Sequence, residues 1–164
     1  MNCLSLAAVL VASFLPETAT PSLKIGDPAP PLTVSRWLKG GPVRRLEPDK
    51  TYVVEFWATW CGPCVACMPY LTELHRIYKG RVTFISVNVA EPDRAKVAPF
   101  VQKMGDKMGY AVAMDDVPAS DERGLNGRMW LGWVAAAGER GIPCAFIISP
   151  VSYTHLTLPT TPYV

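Results

Sequence analysis

The segment from Tyr52 to Thr59 is almost wholly apolar and lacks a clean alternation of polar and apolar residues. Such a run is typical of a strand that is covered on both faces, as in the sheets of α/β proteins. A second run of this kind covers Arg81 to Val89, and a helical pattern from Gly62 to Tyr78 separates the two. Because parallel neighbours need a crossover, usually a helix, this order predicts a three-layer α/β fold with a largely parallel sheet.

The rest of the chain continues the alternation of strands and helices. The predicted elements are a helix from Asp93 to Met108, a short strand from Tyr110 to Met114, a third helix from Gly124 to Ala137 and a strand from Cys144 to Ser149. Before them, the segments Leu32 to Leu38 and Pro42 to Leu46 are separated by Gly40-Gly41. This spacing predicts a short hairpin.

Composition limits the classes of protein to which the chain can belong. With 164 residues, 49% of them hydrophobic and 18% charged, the chain is long and apolar enough to form one folded domain. A net charge of +2 is too small to indicate a nucleic-acid-binding surface, so we expect no nucleic-acid partner. No apolar run reaches the roughly 20 residues of a membrane span.

The N-terminal residues 1–22 are a candidate signal peptide and linker. Leu4 to Leu15 form an apolar run of the length found in export signals, and polar residues follow it. No Lys or Arg precedes the run, and no clean cleavage site follows it, so a cytoplasmic location stays open. We expect export to the periplasm or cell envelope, with this segment as the only membrane attachment.

Residues 151–164 break the pattern of the preceding chain. They contain no charged side chain, and residues 151–160 resemble the translation of a transposase adapter used in DNA library preparation. We therefore expect a domain of residues 23–150 followed by a non-native tail. The alternative is a genuine tail rich in Thr and Pro.

The motif Trp60-Cys61-Gly62-Pro63-Cys64 lies where the first predicted strand ends and a helix begins. Unpaired N–H groups at a helix N-terminus stabilise a thiolate at Cys61, and the thiolate is the reactive form. Cys64 follows one turn later, where it can attack a mixed disulfide on Cys61. Gly62 allows a sharp turn, Pro63 fits a first helical turn, and Trp60 would partly shield the pair.

The same spacing also occurs in metal sites, so a second interpretation has to be weighed. Zinc sites use Cys-x-x-Cys, but they need a second Cys or His pair, and none with suitable spacing is evident. Cys61, Cys64, Cys67 and Cys144 could in principle hold zinc or an iron–sulfur cluster in a non-catalytic module. Because three of these cysteines fall on one short helix, we predict no metal site.

The context of the motif is more specific than its spacing. The run from Phe56 to Cys64, followed by Pro69, resembles the thioredoxin family, and its exported TlpA/ResA-type thiol–disulfide oxidoreductases most of all. The resemblance covers Leu23 to Pro150. It implies a thioredoxin-like sandwich with a mixed, mainly parallel sheet, which would lack its final strand and helix if the tail is not native.

The resemblance also implies the chemistry and the partners. Proteins of this family exchange disulfides with protein substrates and need an upstream electron donor or acceptor. They use the cysteine pair, here Cys61 and Cys64, without a further cofactor. A thiol peroxidase is an alternative within the same broad fold, but its Pro-x-x-x-Thr/Ser-x-x-Cys pattern is missing before Cys61.

Further site residues follow by position from the same resemblance. Glu55 occupies the place of a buried acidic residue that accepts the proton of Cys64, and burial should raise its pKa. Pro143 corresponds to a cis-proline that faces the cysteine pair, and the backbone of Ile142 would pair with an extended substrate segment.

Three residues depart from the family pattern or add to it. Val65 stands where a basic residue is common, so Cys61 would be less acidic than in relatives. Cys144 follows the expected cis-proline, where Thr is common, and could be a third thiol beside the pair or a small core residue. Cys67, one turn beyond Cys64, could be a modulator of the pair, but a packing role is favoured.

Overall fold

The computed structural model describes residues 22–121 and 123–150, together with the backbone of residues 154–157. Six strands occur in this part of the chain: β1 (Val34–Lys39), β2 (Thr51–Trp57), β3 (Val82–Asn88), β4 (Ala111–Asp115), β5 (Cys144–Ile148) and β6 (Thr154–Thr157). The helices are α1 (Gly62–Ile77), α2 (Val97–Met104) and a π-helical segment, α3 (Trp130–Ala135). Short 3₁₀ turns, Arg94–Lys96 and Gly105–Lys107, flank α2.

The strands form one mixed sheet in the order β1-β4-β3-β2-β5-β6. The central pairs β2–β3 and β3–β4 are parallel, whereas the pairs β1–β4, β2–β5 and β5–β6 are antiparallel. Helices α1 and α2 pack on one face of the sheet, and α3 packs on the other. The predicted three-layer α/β fold with a mixed sheet is therefore confirmed.

Strand β2 contributes to the core on both faces, as its almost wholly apolar run predicts. Val54 and Phe56 belong to a cluster with Trp133 of α3 and Phe146 of β5, in which the aromatic rings pack edge to face or tilted. Trp57 points the other way and packs against α1 and α2. The end of β2 is thus fixed from both sides, directly before the cysteine motif.

The predicted hairpin is wrong. Strand β1 pairs with β4, with Trp37 opposite Ala113, and residues 42–46 form no strand. Pro42 has no backbone N–H to donate to a ladder, and Val43 and Leu46 pack into the core instead. Pairing with β4, far away in the sequence, satisfies the backbone groups of β1 that face β4.

The third helix begins later than predicted. Residues 124–127 form turns, with Gly124 at φ +68°, and regular helical structure starts only after Gly127. The buried Asp115 carboxylate accepts the backbone N–H groups of Met129 and Trp130 at 2.8 and 3.0 Å. A side chain from the end of β4 therefore caps the first turn of this helix.

The expectation that a final strand is missing is also wrong. Residues Thr154–Thr157 pair antiparallel with β5, with Ala145 opposite Thr157. Without a partner, β5 would expose a row of unpaired N–H and C=O groups, and any extended segment can satisfy them. The predicted signal peptide, and the place of a final helix in residues 158–164, lie outside the described residues.

None of the described helices has the length and hydrophobicity that crossing a bilayer requires.

The capping role of Asp115 can be tested against its neighbour Asp116. We expect Asp115→Ala to lower the free energy of unfolding by about 2 kcal/mol, because it leaves two helical N–H groups without an acceptor. The Asp116 side chain makes an exposed ion pair with Arg128, and its backbone hydrogen bond is kept in Asp116→Ala, so this variant should cost less than about 1 kcal/mol. Equal losses in chemical denaturation of the two variants would contradict this account.

Candidate active site

Cys61 and Cys64 form a disulfide at the start of α1. Cys61 is the N-cap residue, with extended backbone angles (φ −79°, ψ 97°), and its Sγ accepts the N–H of Cys64 at 3.3 Å. Cys61 and Cys64 are 3% and 0% exposed. The helix begins at Gly62 as the sequence predicts, and the Cys61 sulfur takes the place of a capping oxygen.

Gly62 and Pro63 are the first two residues of α1. Proline suits this position because the N–H groups of a first turn have no partner within the helix. The predicted reason for Gly62 is wrong: its φ is not positive, and a Cβ built on it would meet no atom within 4 Å. The change of direction occurs at Cys61, whose extended angles any residue can adopt.

The loop before β5 faces the disulfide. The Ile142–Pro143 peptide bond is cis, as the family resemblance implied. The Sγ of Cys61 lies 3.8 Å from the carbonyl oxygen of Ile142. The structure thus brings Cys61, Cys64, Ile142 and Pro143 together from the N-terminal end of α1 and the loop before β5.

Trp60 lies at the surface directly before the disulfide. Its side chain is 59% exposed, and its indole N–H donates to the carbonyl oxygen of Ala90 at 2.9 Å. One edge of the ring is therefore fixed to the loop after β3. The rest of the ring is open to solvent next to Cys61.

Glu55 is buried in β2, between the parallel neighbour β3 and the antiparallel neighbour β5. Its Oε2 accepts the hydroxyl of Ser86, the residue opposite in β3, at 2.6 Å. The other carboxylate oxygen, Oε1, has no hydrogen-bond partner among the described residues. Burial raises the pKa of Glu55 to about 7, and the hydrogen bond from Ser86 opposes that rise only in part.

A groove of about 450 Å³ opens on the face of the sheet that carries Glu55. Its walls are apolar side chains of α1 and alternate residues of β2 and β5, among them Leu71 and Ile147. Glu55, Cys67 and Pro143 also line it. The carboxylate therefore lies on the same side of the sheet as the cysteine helix, at the edge of a solvent-accessible groove.

Cys144 is buried on the other face of the sheet, in the cluster of Phe56 and Phe146. Burial, with smaller contributions from the charges of Glu139 and Glu55, raises the pKa of its thiol to about 12. A buried thiol with so high a pKa is a packing group. The structure therefore favours the interpretation of Cys144 as a core residue over that of a third thiol beside Cys61 and Cys64.

Cys67 is half-buried on α1 and is not in a disulfide. Burial and the charge of Glu55 both raise the pKa of its thiol, so it is not activated. Because Cys144 lies across the sheet, the four cysteines do not converge. Within the ranges that the structure describes, no three His, Cys, Asp or Glu side chains are grouped as metal ligands would be.

Sequence reasoning missed the partners of these residues. Ser86 and Asn88 are buried polar residues in a largely apolar strand, and these polar residues were the available signal. Glu91 is buried after β3, and its carboxylate accepts the N–H of Thr59 at 2.8 Å. Strand register, which places Ser86 opposite Glu55, cannot be read from the motif alone.

Comparison with known proteins shows which proteins this chain resembles. The thioredoxin family model matches residues 43–106. Protein FixW of Rhizobium leguminosarum is 30% identical over 134 residues, which are 77% of this chain and 57% of FixW. The thiol-disulfide oxidoreductase ResA of Geobacillus thermodenitrificans is 35% identical over 103 residues, which are 62% of this chain and 57% of ResA. The chain thus spans little more than half the length of these curated relatives.

Solved structures show the same fold. The thioredoxin domain of a thiol-disulfide oxidoreductase from Bacteroides vulgatus superposes with a TM-score of 0.62 at 20% identity, over 84% of this chain and 90% of that one. A thiol-disulfide isomerase from Corynebacterium glutamicum gives 0.60 at 19% identity, over 79% and 86%. The fold and the disulfide at a helix start therefore define a thioredoxin-like domain. In sequence the chain is similar to ResA thiol-disulfide oxidoreductases.

The buried carboxylate predicts a pH dependence of stability. As pH rises from the ordinary pKa of 4.5 to about 7, the unfolded chain loses the Glu55 proton while the folded chain keeps it. Stability therefore falls over this window and stays lower above it. Glu55→Gln has no proton to lose at this position, so it does not share this loss of stability. The difference between its free energy of unfolding and that of the wild type should therefore increase by up to about 3 kcal/mol between pH 4 and pH 8.

The measurement is chemical denaturation of both oxidised proteins across this pH range. Glu73→Gln is the matched control, because Glu73 is exposed on α1 and its pKa is lowered by its hydrogen bond with Arg76. The stability of Glu73→Gln relative to the wild type should not increase between pH 4 and pH 8. Parallel pH profiles for the wild type and Glu55→Gln would contradict the assignment.

Proposed function

We propose that the chain is a thiol–disulfide oxidoreductase that exchanges disulfides with protein substrates through Cys61 and Cys64. The observation that carries this proposal is the disulfide at the N-terminus of α1, opposite the cis-proline loop. The ResA relatives, which are named thiol-disulfide oxidoreductases, support it.

The first step starts from the reduced pair. The Cys61 thiolate, stabilised by the N–H groups of the first turn of α1, attacks one sulfur of a substrate disulfide. The substrate S–S bond breaks, a mixed disulfide forms between Cys61 and the substrate, and the other substrate sulfur leaves as a thiolate that takes a proton from water.

The second step returns the pair to the state seen in the structure. Cys64 loses its proton to Glu55 and attacks the Sγ of Cys61. The mixed disulfide breaks, the second substrate sulfur leaves as a thiolate that takes a proton from water, and the Cys61–Cys64 bond forms. Glu55 then releases its proton to solvent. The substrate has gained two electrons and the pair has lost two, so an upstream thiol donor has to reduce the pair before the next cycle. With an oxidising partner the same steps run in reverse.

Glu55 suits the role of proton acceptor for physical reasons. A base works best when its pKa is near the operating pH, and burial raises the pKa of Glu55 to about 7. Its Oε1 makes no hydrogen bond to a described residue, so that oxygen can take a proton without breaking an existing bond. The carboxylate also lies on the sheet face against which α1 packs.

The substrate is proposed to bind as an extended segment. The backbone of Ile142 lies next to Cys61, with its carbonyl oxygen 3.8 Å from the sulfur, and can pair with such a segment as an added strand. The exposed ring of Trp60 borders the same surface. Backbone pairing does not depend on the substrate sequence, which suits a protein that acts on many disulfides.

Action in an oxidising compartment is proposed with this function, because protein disulfides persist there. The apolar run from Leu4 to Leu15 supports export. A structural neighbour, a disulfide oxidoreductase of Mycobacterium tuberculosis, is described as secreted.

Serine variants of the cysteines test the proposal. Cys61→Ser should lower the rate of insulin-disulfide reduction by at least about 100-fold, because an alcohol cannot replace the attacking thiolate. Cys64→Ser should accumulate a mixed disulfide between Cys61 and insulin, visible by mass spectrometry. Cys67→Ser, one turn further along α1 and outside the disulfide, is the matched control and should reduce insulin as the wild type does. Unchanged turnover in Cys61→Ser would refute the proposed function.

A further inference from the structure

Glu91 is a buried carboxylate that the proposed chemistry does not use. It lies just after β3 and is 5% exposed. Its Oε2 accepts the backbone N–H of Thr59 at 2.8 Å and is 3.4 Å from the Nδ2 of Asn88. Asn88 ends β3, so the carboxylate links the end of that strand to the loop before the disulfide.

The neighbouring residue makes a second link to the same loop. The carbonyl oxygen of Ala90 accepts the indole N–H of Trp60 at 2.9 Å. Ala90 holds a positive φ of 49°, which is unfavourable for a residue with a Cβ and indicates that the surrounding contacts fix this backbone. Ala90 and Glu91 thus hold Trp60 and Thr59 through two separate hydrogen bonds.

A third segment packs against Glu91 from the loop after β4. A Cβ built on Gly124 would lie 3.0 Å from the backbone nitrogen of Glu91 and 3.1 Å from its oxygen. Such contacts are too close for most side chains, so glycine is required for the approach as well as for its φ of +68°. Glu91 is therefore packed against Gly124 through its backbone and linked to Thr59 through its carboxylate.

We propose that Glu91 is a positioning residue that fixes the Thr59–Trp60 loop, and with it the surface on which a protein substrate rests beside Cys61. This inference rests on the proposed function. A small disulfide needs only the sulfur of Cys61, whereas a protein substrate also contacts the surface that Trp60 forms. Loss of the tether therefore weakens recognition of a protein disulfide more than it slows attack on a small one.

The experiment compares Glu91→Ala with Glu91→Gln on two substrates. Glu91→Ala leaves the Thr59 N–H without its acceptor, so the KM for insulin should rise by about 5-fold or more, while the rate with dithiobis(nitrobenzoate) changes by less than about 2-fold. Gln keeps an oxygen that can accept the Thr59 N–H. Glu91→Gln should therefore restore most of the affinity for insulin.

A readout that needs no activity separates this inference from the proposed function. In Glu91→Ala the amide hydrogen of Thr59 should exchange with solvent about 10-fold faster than in the wild type, and in Glu91→Gln it should stay close to the wild-type rate. If the wild type itself fails to reduce insulin, the proposed function fails, but the exchange rates still decide whether Glu91 holds the loop.

A second variant disturbs the same junction without changing the carboxylate. Gly124→Ala forces a Cβ against the Glu91 backbone and should raise the KM for insulin in the same direction as Glu91→Ala. Gly80→Ala is its matched control, because Gly80 also has a positive φ, +80°, but open space around its Cβ position. The inference is overturned if Glu91→Ala leaves the exchange rate of the Thr59 amide unchanged, or if it affects insulin and dithiobis(nitrobenzoate) equally. It is also overturned if Gly80→Ala raises the KM for insulin as much as Gly124→Ala does.

Discussion

Glu55 places a carboxylate inside the central strand of the sheet with a single hydroxyl donor, and the proposed chemistry depends on that placement. Burial penalises the charged form, so the proton stays on Glu55 up to about pH 7 instead of leaving near 4.5. The placement is destabilising at neutral pH, and the well-packed strands on both sides of β2 have to offset it. Strand alternation directs Glu55 to the face that also carries Trp57 and the cysteine helix.

The other half of the site is built from backbone groups. The first turn of α1 carries no acidic side chain, and Val65 supplies no cation, so the Cys61 sulfur is stabilised chiefly by N–H groups such as that of Cys64. The carbonyl oxygen of Ile142 lies next to the same sulfur. The start of α1 and the loop before β5 therefore set the reactivity of Cys61, whereas the buried carboxylate of Glu55 sets that of Cys64.

The elements that surround the site were predictable because their signals are local. The apolar runs predicted β2 and β3, and the motif marked the start of α1 directly after Cys61. Pairings between distant segments could not be read in the same way: β1 joins β4, and Asp115 caps a helix that begins more than ten residues later. Ser86 was missed for a related reason, since only the β2–β3 register brings it to Glu55. Cys144 faces away from the pair because successive residues of β5 alternate between faces.

The central claim is that Glu55 keeps its proton until neutral pH in the oxidised protein. The most direct measurement is a ¹³C NMR titration of the glutamate side-chain carboxyl signals, with the Glu55 signal assigned by its loss in Glu55→Gln. The account predicts a midpoint of about 7 for that signal. A midpoint near the ordinary value of 4.5 would show a well-solvated carboxylate and would contradict the account.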